Sequence, residues 1–561
     1  MKHIRNIHPW MISAGLFVVI GLLASICAVF PEDGIQLTEE TSLRFPTLTE
    51  MLEGDTTATA ESLLSAEELL AMREQELKHM QEEQQYIDYF KTNPGRIHFP
   101  ADSAAYFDDF YAALTRARQK GVRVVHYGDS QLEADRLSCV LRQALQEEFG
   151  GGGNGWIPMV ESLWSQTTNI YSAKTPRRYQ IYGPASGRRE GNNCYGPMGS
   201  VSMLDSTFTL SISPKKQQTG YVSANYFNRI TLLSRNGGTI RMSAQGQTAS
   251  AAGSDAALQL TRINVKDSTT TVSISLSGRG DVYGILLDNR GGVSVDNVPL
   301  RGCSGTIFTG MNAAQMRTYF EATNTQLIIM QFGGNSMPYI KTEQQVNTYV
   351  SSLRKQVQHM KRLAPDAKIM WVGPSDMSTR INGKMQTYPM LRTMDQAICK
   401  MVNEEGCAYW SLFESMGGPG SMARWANSSP ALAGNDYVHF TRLGAQKAGE
   451  LLTNAIMTGY RYYIFRHPEM QPDKLNTEPI PAPEMQLEVE QITLPNIPLD
   501  SDSYGDPRQD TFGEEMEAAE TLMESGIQPG ATQNAAEEVE NTPAAGETAA
   551  NEPDNTDPFF E

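Results

Sequence analysis

Short apolar runs alternate with longer amphipathic stretches from about residue 101 onward. Val122 to Tyr127, Gln326 to Gln331, Lys368 to Val372 and Ala408 to Leu412 are runs of five or six residues. Between and around them lie segments with helical spacing: Tyr106 to Lys120, Glu133 to Phe149, Glu343 to Leu363, Leu391 to Glu405 and Leu443 to Met457. A strand buried on both faces needs apolar side chains in succession, and parallel strands need crossover helices to join them. The pattern predicts an α/β fold in which a parallel sheet is covered by helices.

Between Trp164 and Pro299 the helical spacing disappears. Phe208 to Ile212, Arg229 to Leu233, Thr239 to Met242, Thr271 to Leu276 and Val282 to Leu287 read as short strands, and Asn236-Gly237-Gly238 as a hairpin turn. A β-sandwich of about 130 residues is therefore expected to interrupt the α/β domain, a placement tolerated because domain termini often lie close together. Upstream, Ala60 to Tyr89 reads as a helix on which Leu63, Leu70 and Leu77 recur every seven residues, with Ala66, Met80 and Ile87 on the same side. Arg73 and Gln84 interrupt that stripe. It suits either packing on the globular domain or a short coiled coil that dimerises or spaces the chain. The resulting division is 1–30, an anchor or signal segment; 31–100, a spacer with the helix; 101–163, the first part of the α/β domain; 164–299, the inserted sandwich; 300–468, the second part; and 469–561, a tail.

Charge is distributed unevenly over these segments. The tail holds about 23 Asp and Glu against Lys474 and Arg508, so it accounts for about −21 while the whole chain of 561 residues carries −18. Rich in Pro, Ala, Gln and Asn, it lacks the apolar surface that would offset its ordering entropy and is expected to be disordered. The remainder is nearly neutral and shows no interleaved basic and aromatic run, which argues against nucleic acid as a partner. Lys2, His3 and Arg5 precede an uncharged apolar run from Met11 to Phe30, long enough to cross a bilayer. No clean Ala-x-Ala site follows it, and Ile26 stands before Cys27 where a lipoprotein signal needs a small residue. These features predict an anchored protein of the cell envelope, facing the periplasmic or extracytoplasmic side. Cys139, Cys194, Cys303, Cys399 and Cys407 lie beyond the anchor without any Cys-x-x-Cys. That spacing leaves room for one disulfide of open pairing and indicates no structural zinc site.

Four short motifs carry candidate chemistry. Gly128-Asp129-Ser130 stands where a buried strand ends and a helix begins, the edge at which open α/β sheets bind ligands. A serine there is exposed beside backbone N–H groups, although either Asp129 or Ser130 would also serve as a plain helix cap. Asp436-Tyr437-Val438-His439 places an acceptor three residues before a histidine, as a general base requires. Gly302-Cys303-Ser304-Gly305-Thr306 and Gln331-Phe332-Gly333-Gly334-Asn335-Ser336 are glycine-flanked loops that could bring backbone or amide N–H groups to a developing oxyanion. Cys303 has no separate base and reads as a packing residue. Trp156 and Trp164, near the run Gly150 to Gly153, suit either core packing or stacking on a sugar ring.

The order of these motifs resembles the four blocks of the SGNH (GDSL-type) hydrolases, over about Val122 to Met457 without the insertion. The resemblance implies a three-layer flavodoxin-like fold and ester hydrolysis without metal or organic cofactor. It casts Ser130 as nucleophile, His439 as base and Asp436 as its orienting partner, with the Ser130 and Gly305 amides and the Asn335 side chain as the oxyanion hole. The sandwich between the Ser and Gly blocks is similar to that of the bacterial peptidoglycan O-acetylesterases, in which the insert resembles a carbohydrate-binding module. The implied substrate is an acetylated polysaccharide, peptidoglycan foremost. Gln131-Leu132-Glu133-Ala134-Asp135 departs from those enzymes, which carry His-Thr and a Gly after the serine. Two further readings are an O-acetyltransferase, in which a sugar hydroxyl intercepts the same acyl-enzyme, and a glycan-binding protein on an inactive hydrolase scaffold.

Overall fold

The computed structural model describes residues 66–160, 165–183, 187–188, 193–215, 223–235, 240–251 and 257–471, with a few positions between 18 and 43. The expected anchor at 1–30, the tail at 469–561, Trp164 and the Asn236-Gly237-Gly238 turn lie wholly or almost wholly outside these residues. Among the described residues no helix is long and apolar enough to cross a membrane.

The chain divides into residues 1–86 and 87–561. In the first unit Ile35–Gln36 pairs antiparallel with Ser42–Leu43. Helix α1 (Ala66–Thr92) begins there and takes in most of the expected amphipathic segment. Leu63 of its stripe lies outside the described residues, and Leu70, Leu77 and Met80 are 63%, 51% and 58% exposed.

The second unit begins its sheet with β1 (Ile97–His98), followed by α2 (Asp108–Thr115), β2 (Val122–Gly128) and α3 (Ser138–Phe149). After the insertion come β3 (Val293–Pro299), α4 (Ala313–Ala322), β4 (Thr325–Gln331), α5 (Glu343–Leu363), β5 (Lys368–Val372), α6 (Leu391–Glu404), β6 (Ala408–Trp410) and α7 (Arg442–Arg466). The sheet runs β3-β2-β4-β5-β6-β1, parallel except for β1 at its edge. Alternate residues of β2 feed opposite cores. Val122 and Val124 pack with α2, α3 and α7, while Val125 and Tyr127 pack with α4, α5 and α6. A strand clothed on both sides in this way gives the three layers expected of the α/β domain.

The insertion is a sandwich of two antiparallel sheets. One runs Gln259–Thr269, Phe227–Arg235, Gly280–Asp288, Ser200–Leu204 and Arg177–Gln180, with Gly155–Ile157 added against Gly280–Asp288. The other runs Gln247–Ala251, Ile240–Ala244, Val272–Ser277, Phe208–Pro214 and Thr168–Tyr171. Both expected boundaries shift. Gly155–Ile157 already belongs to the sandwich, whereas Val293–Pro299 pairs parallel with β2 and is an edge strand of the α/β sheet.

A buried ionic network joins the two domains. Arg123 on β2 pairs with Asp296 on β3 at 2.5 Å and with Asp288 of the sandwich, and Arg229 reaches the other Asp288 oxygen at 2.8 Å. The glycine run before the insertion threads between backbones here. A Cβ on Gly153, whose φ is +74°, would fall 2.1 Å from the Leu287 carbonyl oxygen, a contact that only glycine avoids. Trp156 is buried, with its indole N–H donating to the Tyr283 carbonyl at 2.9 Å. It therefore packs in the core that the sandwich shares with the α/β domain and offers no exposed face to a sugar. Among the described residues, the five cysteines from Cys139 to Cys407 form no disulfide.

Candidate active site

Sheet register brings three of the four motifs to one edge. Gly128, the last residue of β2, pairs with Pro299 on one side and Gln331 on the other. The loops that follow, at Asp129, Leu300 and Phe332, therefore leave the sheet side by side at its carboxyl end. Gly128 is required by close packing, because a Cβ there would meet the Leu132 side chain at 2.6 Å.

The serine turn is tighter than the helix expected from Glu133. Ser130 opens a 3₁₀ segment, Ser130–Asp135, and α3 begins only at Ser138. The break is local: Glu133 is extended, and Ala134 and Asp135 are left-handed with φ of 58° and 59°. Asp135 is held in that conformation by a buried bidentate pair with Arg142, at 2.6 and 2.9 Å, and by the Thr167 hydroxyl at 2.8 Å. Asp129 caps the turn, its carboxylate accepting the Gln131 amide at 3.0 Å. Burial pushes the Asp129 carboxyl up to about 6, against the pull of the Gln131 amide and the His439 charge.

Beneath the turn lies a neutral histidine. His126 is fully buried between Gln331 at 3.0 Å and Ser138 at 3.0 Å, and burial lowers its pKa to about 3. Ser138 donates on to Asn297, which donates to the Leu132 carbonyl at 3.0 Å. This network ties β2, β3 and β4 to the serine turn.

The fourth motif arrives on the loop before α7. Tyr437 is left-handed, φ 57°, which folds the loop so that Asp436 faces forward onto His439. One Asp436 oxygen accepts the Val438 and His439 amides at 3.0 and 3.1 Å, and the other meets His439 Nδ1 at 2.7 Å. Burial raises the Asp436 carboxyl, but the hydrogen bond and charge of His439 and the two amides outweigh it, and the pKa falls below its ordinary value. On the far side of the ring, His439 Nε2 lies 2.9 Å from Ser130 Oγ. Ser130, His439 and Asp436 thus form one hydrogen-bonded relay across 309 residues of sequence separation.

The remaining two motifs meet each other at Cys303. The Gly305 N–H donates to Cys303 Sγ at 3.3 Å, and the Asn335 amide donates to the Cys303 carbonyl at 3.1 Å. Gly334, next to Asn335, lies against Asp129, with its virtual Cβ 3.5 Å from the carboxylate. The loop carrying Asn335 therefore borders the serine turn, while the Gly305 amide is directed at sulfur in this state.

Residues 267–447 match the model of the GDSL-like Lipase/Acylhydrolase family. That stretch contains Gly305, Asn335, Asp436 and His439 but not Ser130, which the insertion separates from it and which β2 returns to the site. Over that stretch the chain is similar to the GDSL-type SGNH hydrolases. Its relay is that of a carboxylic-ester hydrolase. No curated protein sequence matches it. Among solved structures, a peptidoglycan O-acetylesterase superposes with a TM-score of 0.53 at 19% identity, over 64% of this chain and 98% of its own. A family two carbohydrate esterase from Clostridium thermocellum in complex with cellohexaose aligns with a TM-score of 0.21 at 12% identity, over 51% and 98%. A GDSL-like lipase from Parabacteroides merdae aligns with a TM-score of 0.22 at 19% identity, over 30% and 74%. The first of these shows the shared fold of the hydrolase and its insertion.

Two side chains that bear on the site have no role in the sequence reading. Gln131 stood out there only as a departure from the pattern the resemblance implies, and Arg136 carried no signal; both bridge the serine turn to the histidine loop.

Proposed function

We propose that this hydrolase removes O-acetyl groups from a cell-wall or extracellular polysaccharide, peptidoglycan foremost, through an acyl-enzyme on Ser130. The observation that carries the chemistry is the relay itself, Ser130 Oγ to His439 Nε2 at 2.9 Å and His439 Nδ1 to Asp436 at 2.7 Å. His439 takes the Ser130 proton as Oγ attacks the acetyl carbonyl, and Asp436 holds the ring with Nδ1 protonated and Nε2 free to accept. The carbonyl oxygen becomes an oxyanion that the Ser130 and Gly305 amides and the Asn335 side chain receive. A thiol is a weak acceptor, so Gly305 exchanges Cys303 Sγ for the oxyanion at little cost. Collapse expels the sugar oxygen, which takes the proton back from His439, and water then repeats the sequence to release acetate. The His439 side chain is 45% exposed, an access for water that favours hydrolysis over transfer to a second sugar.

The choice of a polysaccharide is supported by the sandwich insertion and by the fold shared with a peptidoglycan O-acetylesterase over 98% of that chain. Export and anchoring are proposed from the basic and apolar pattern of residues 1–30. The experiment is acetate release from O-acetylated peptidoglycan, acetylated xylan and an acetylated exopolysaccharide, each with a Ser130→Ala control. Peptidoglycan is expected to be turned over fastest and the variant to release none. Equal acetate release by the variant would falsify the acyl-enzyme.

A further inference from the structure

Asp436 orients the imidazole within its own loop, but the distance from His439 to Ser130 depends on what ties that loop to the serine turn. The geometry points to Gln131 and Arg136 as positioning residues that clamp this loop to the serine turn. Gln131 follows the nucleophile directly and is buried. Its side-chain amide reaches both neighbours of the histidine: Nε2 donates to the Val438 carbonyl at 2.8 Å, and Oε1 accepts the Phe440 amide at 3.3 Å. Donor faces acceptor at both ends in only one orientation of the amide, so the side chain acts as an added peptide unit paired across His439.

Arg136 closes the clamp from the other end of the 3₁₀ turn. One terminal nitrogen donates to the Phe440 carbonyl at 2.8 Å and the other to the Ser130 carbonyl at 2.9 Å, while Nε donates to the Gln131 carbonyl at 3.3 Å. The second terminal nitrogen also lies 3.5 Å from Gln131 Oε1. The carbonyl of the nucleophile and that of the residue after the base are thereby tied to one rigid guanidinium. Neither residue touches the relay atoms. Their effect is on distance, because lengthening the 2.9 Å contact between Ser130 Oγ and His439 Nε2 by about 1 Å would take it out of hydrogen-bonding range.

This inference rests on the proposed acyl-enzyme, and the experiment separates the two. Gln131→Met keeps the length and bulk of the side chain and removes both hydrogen bonds. On p-nitrophenyl acetate its kcat is expected to fall about 10- to 100-fold, the scale of a misplacement near 1 Å, with KM within about twofold. A fluorophosphonate probe should label Ser130 more slowly by the same factor, at temperatures where the variant remains folded by circular dichroism. Arg136→Lys, which keeps the charge and loses the fork, should show the same split with a smaller loss. Wild-type kcat and labelling rate in folded Gln131→Met overturn the clamp. Should that variant not fold, Arg136→Lys decides by the same two readouts. An active Ser130→Ala protein would instead overturn the acyl-enzyme, whatever Gln131 does.

Discussion

Replacing Asp436 by Asn tests whether the carboxylate works by fixing the imidazole tautomer. The two oxygens of Asp436 have different tasks, one accepting the Val438 and His439 amides and the other facing His439 Nδ1. An Asn that keeps its oxygen on the backbone amides must aim its NH2 at Nδ1. The ring then accepts there and carries its proton on Nε2, where it can no longer take the proton of Ser130. The opposite flip sets NH2 against two N–H groups. For a fully buried carboxylate this error costs about 10⁴ in kcat. Here the Asp436 side chain is 25% exposed and His439 45%, so water can solvate either tautomer, and a loss of about 10² to 10³ is expected, some 3 to 4 kcal/mol in barrier. Asp436→Ala imposes no tautomer and should be faster than Asp436→Asn, although it deletes more. The assay is kcat on p-nitrophenyl acetate for both variants, with fluorophosphonate labelling of Ser130 as a measure of nucleophile activation. An Asn variant within tenfold of wild type, or faster than the Ala variant, refutes the tautomer argument.

Other perturbations address Cys303 and Asp129. In Cys303→Ser a hydroxyl, a stronger acceptor than sulfur, should hold the Gly305 amide and lower kcat about fivefold, equivalent to about 1 kcal/mol, while Cys303→Ala frees the amide and stays at or above wild type. Steady-state kinetics that place Ser above Ala would remove Gly305 from the oxyanion hole. The Asp129 carboxyl, raised by burial from 3.8 to about 6, stabilises the fold fully below about pH 4 and loses that contribution as pH rises through 6. Asp129→Asn keeps an oxygen for the Gln131 amide and does not ionise. Relative to wild type it should gain up to about 3 kcal/mol at pH 8 and nothing near pH 4, read from urea unfolding at the two pH values; a pH-independent difference contradicts the assignment.

The elements of the hydrolase domain were legible because each answers to a local cause. Strands buried on both faces read as continuous apolar runs, and Glu343–Leu363 and Lys368–Val372 form with the bounds that their side-chain spacing predicts. The insertion's edges were not legible for a physical reason. Val293 and Val295 alternate with Ser294 and Asp296, the pattern of a half-buried sandwich strand. The strand's polar residues are in fact buried, Asp296 by Arg123 and Tyr319 and Asn297 by Ser138 and Leu132. Alternation reports polarity, and here polarity does not report exposure.

The site shows the same division between local and non-local information. Asp436 and His439 lie three residues apart, and their contact needs only the left-handed Tyr437. Ser130 is different, since its own sequence supports a helix cap equally well, and a cap is indeed formed by Asp129 on the Gln131 amide. What turns a capped turn into a nucleophile turn is the register that sets Gly128 between Pro299 and Gln331, together with the side chains that bring the histidine loop down onto it. Those side chains begin with the residue that had looked anomalous. Gln131 departs from the pattern that the family resemblance implies, at a position whose amide spans His439. Its departure is therefore better read as a different way of holding the same base than as a loss of the chemistry.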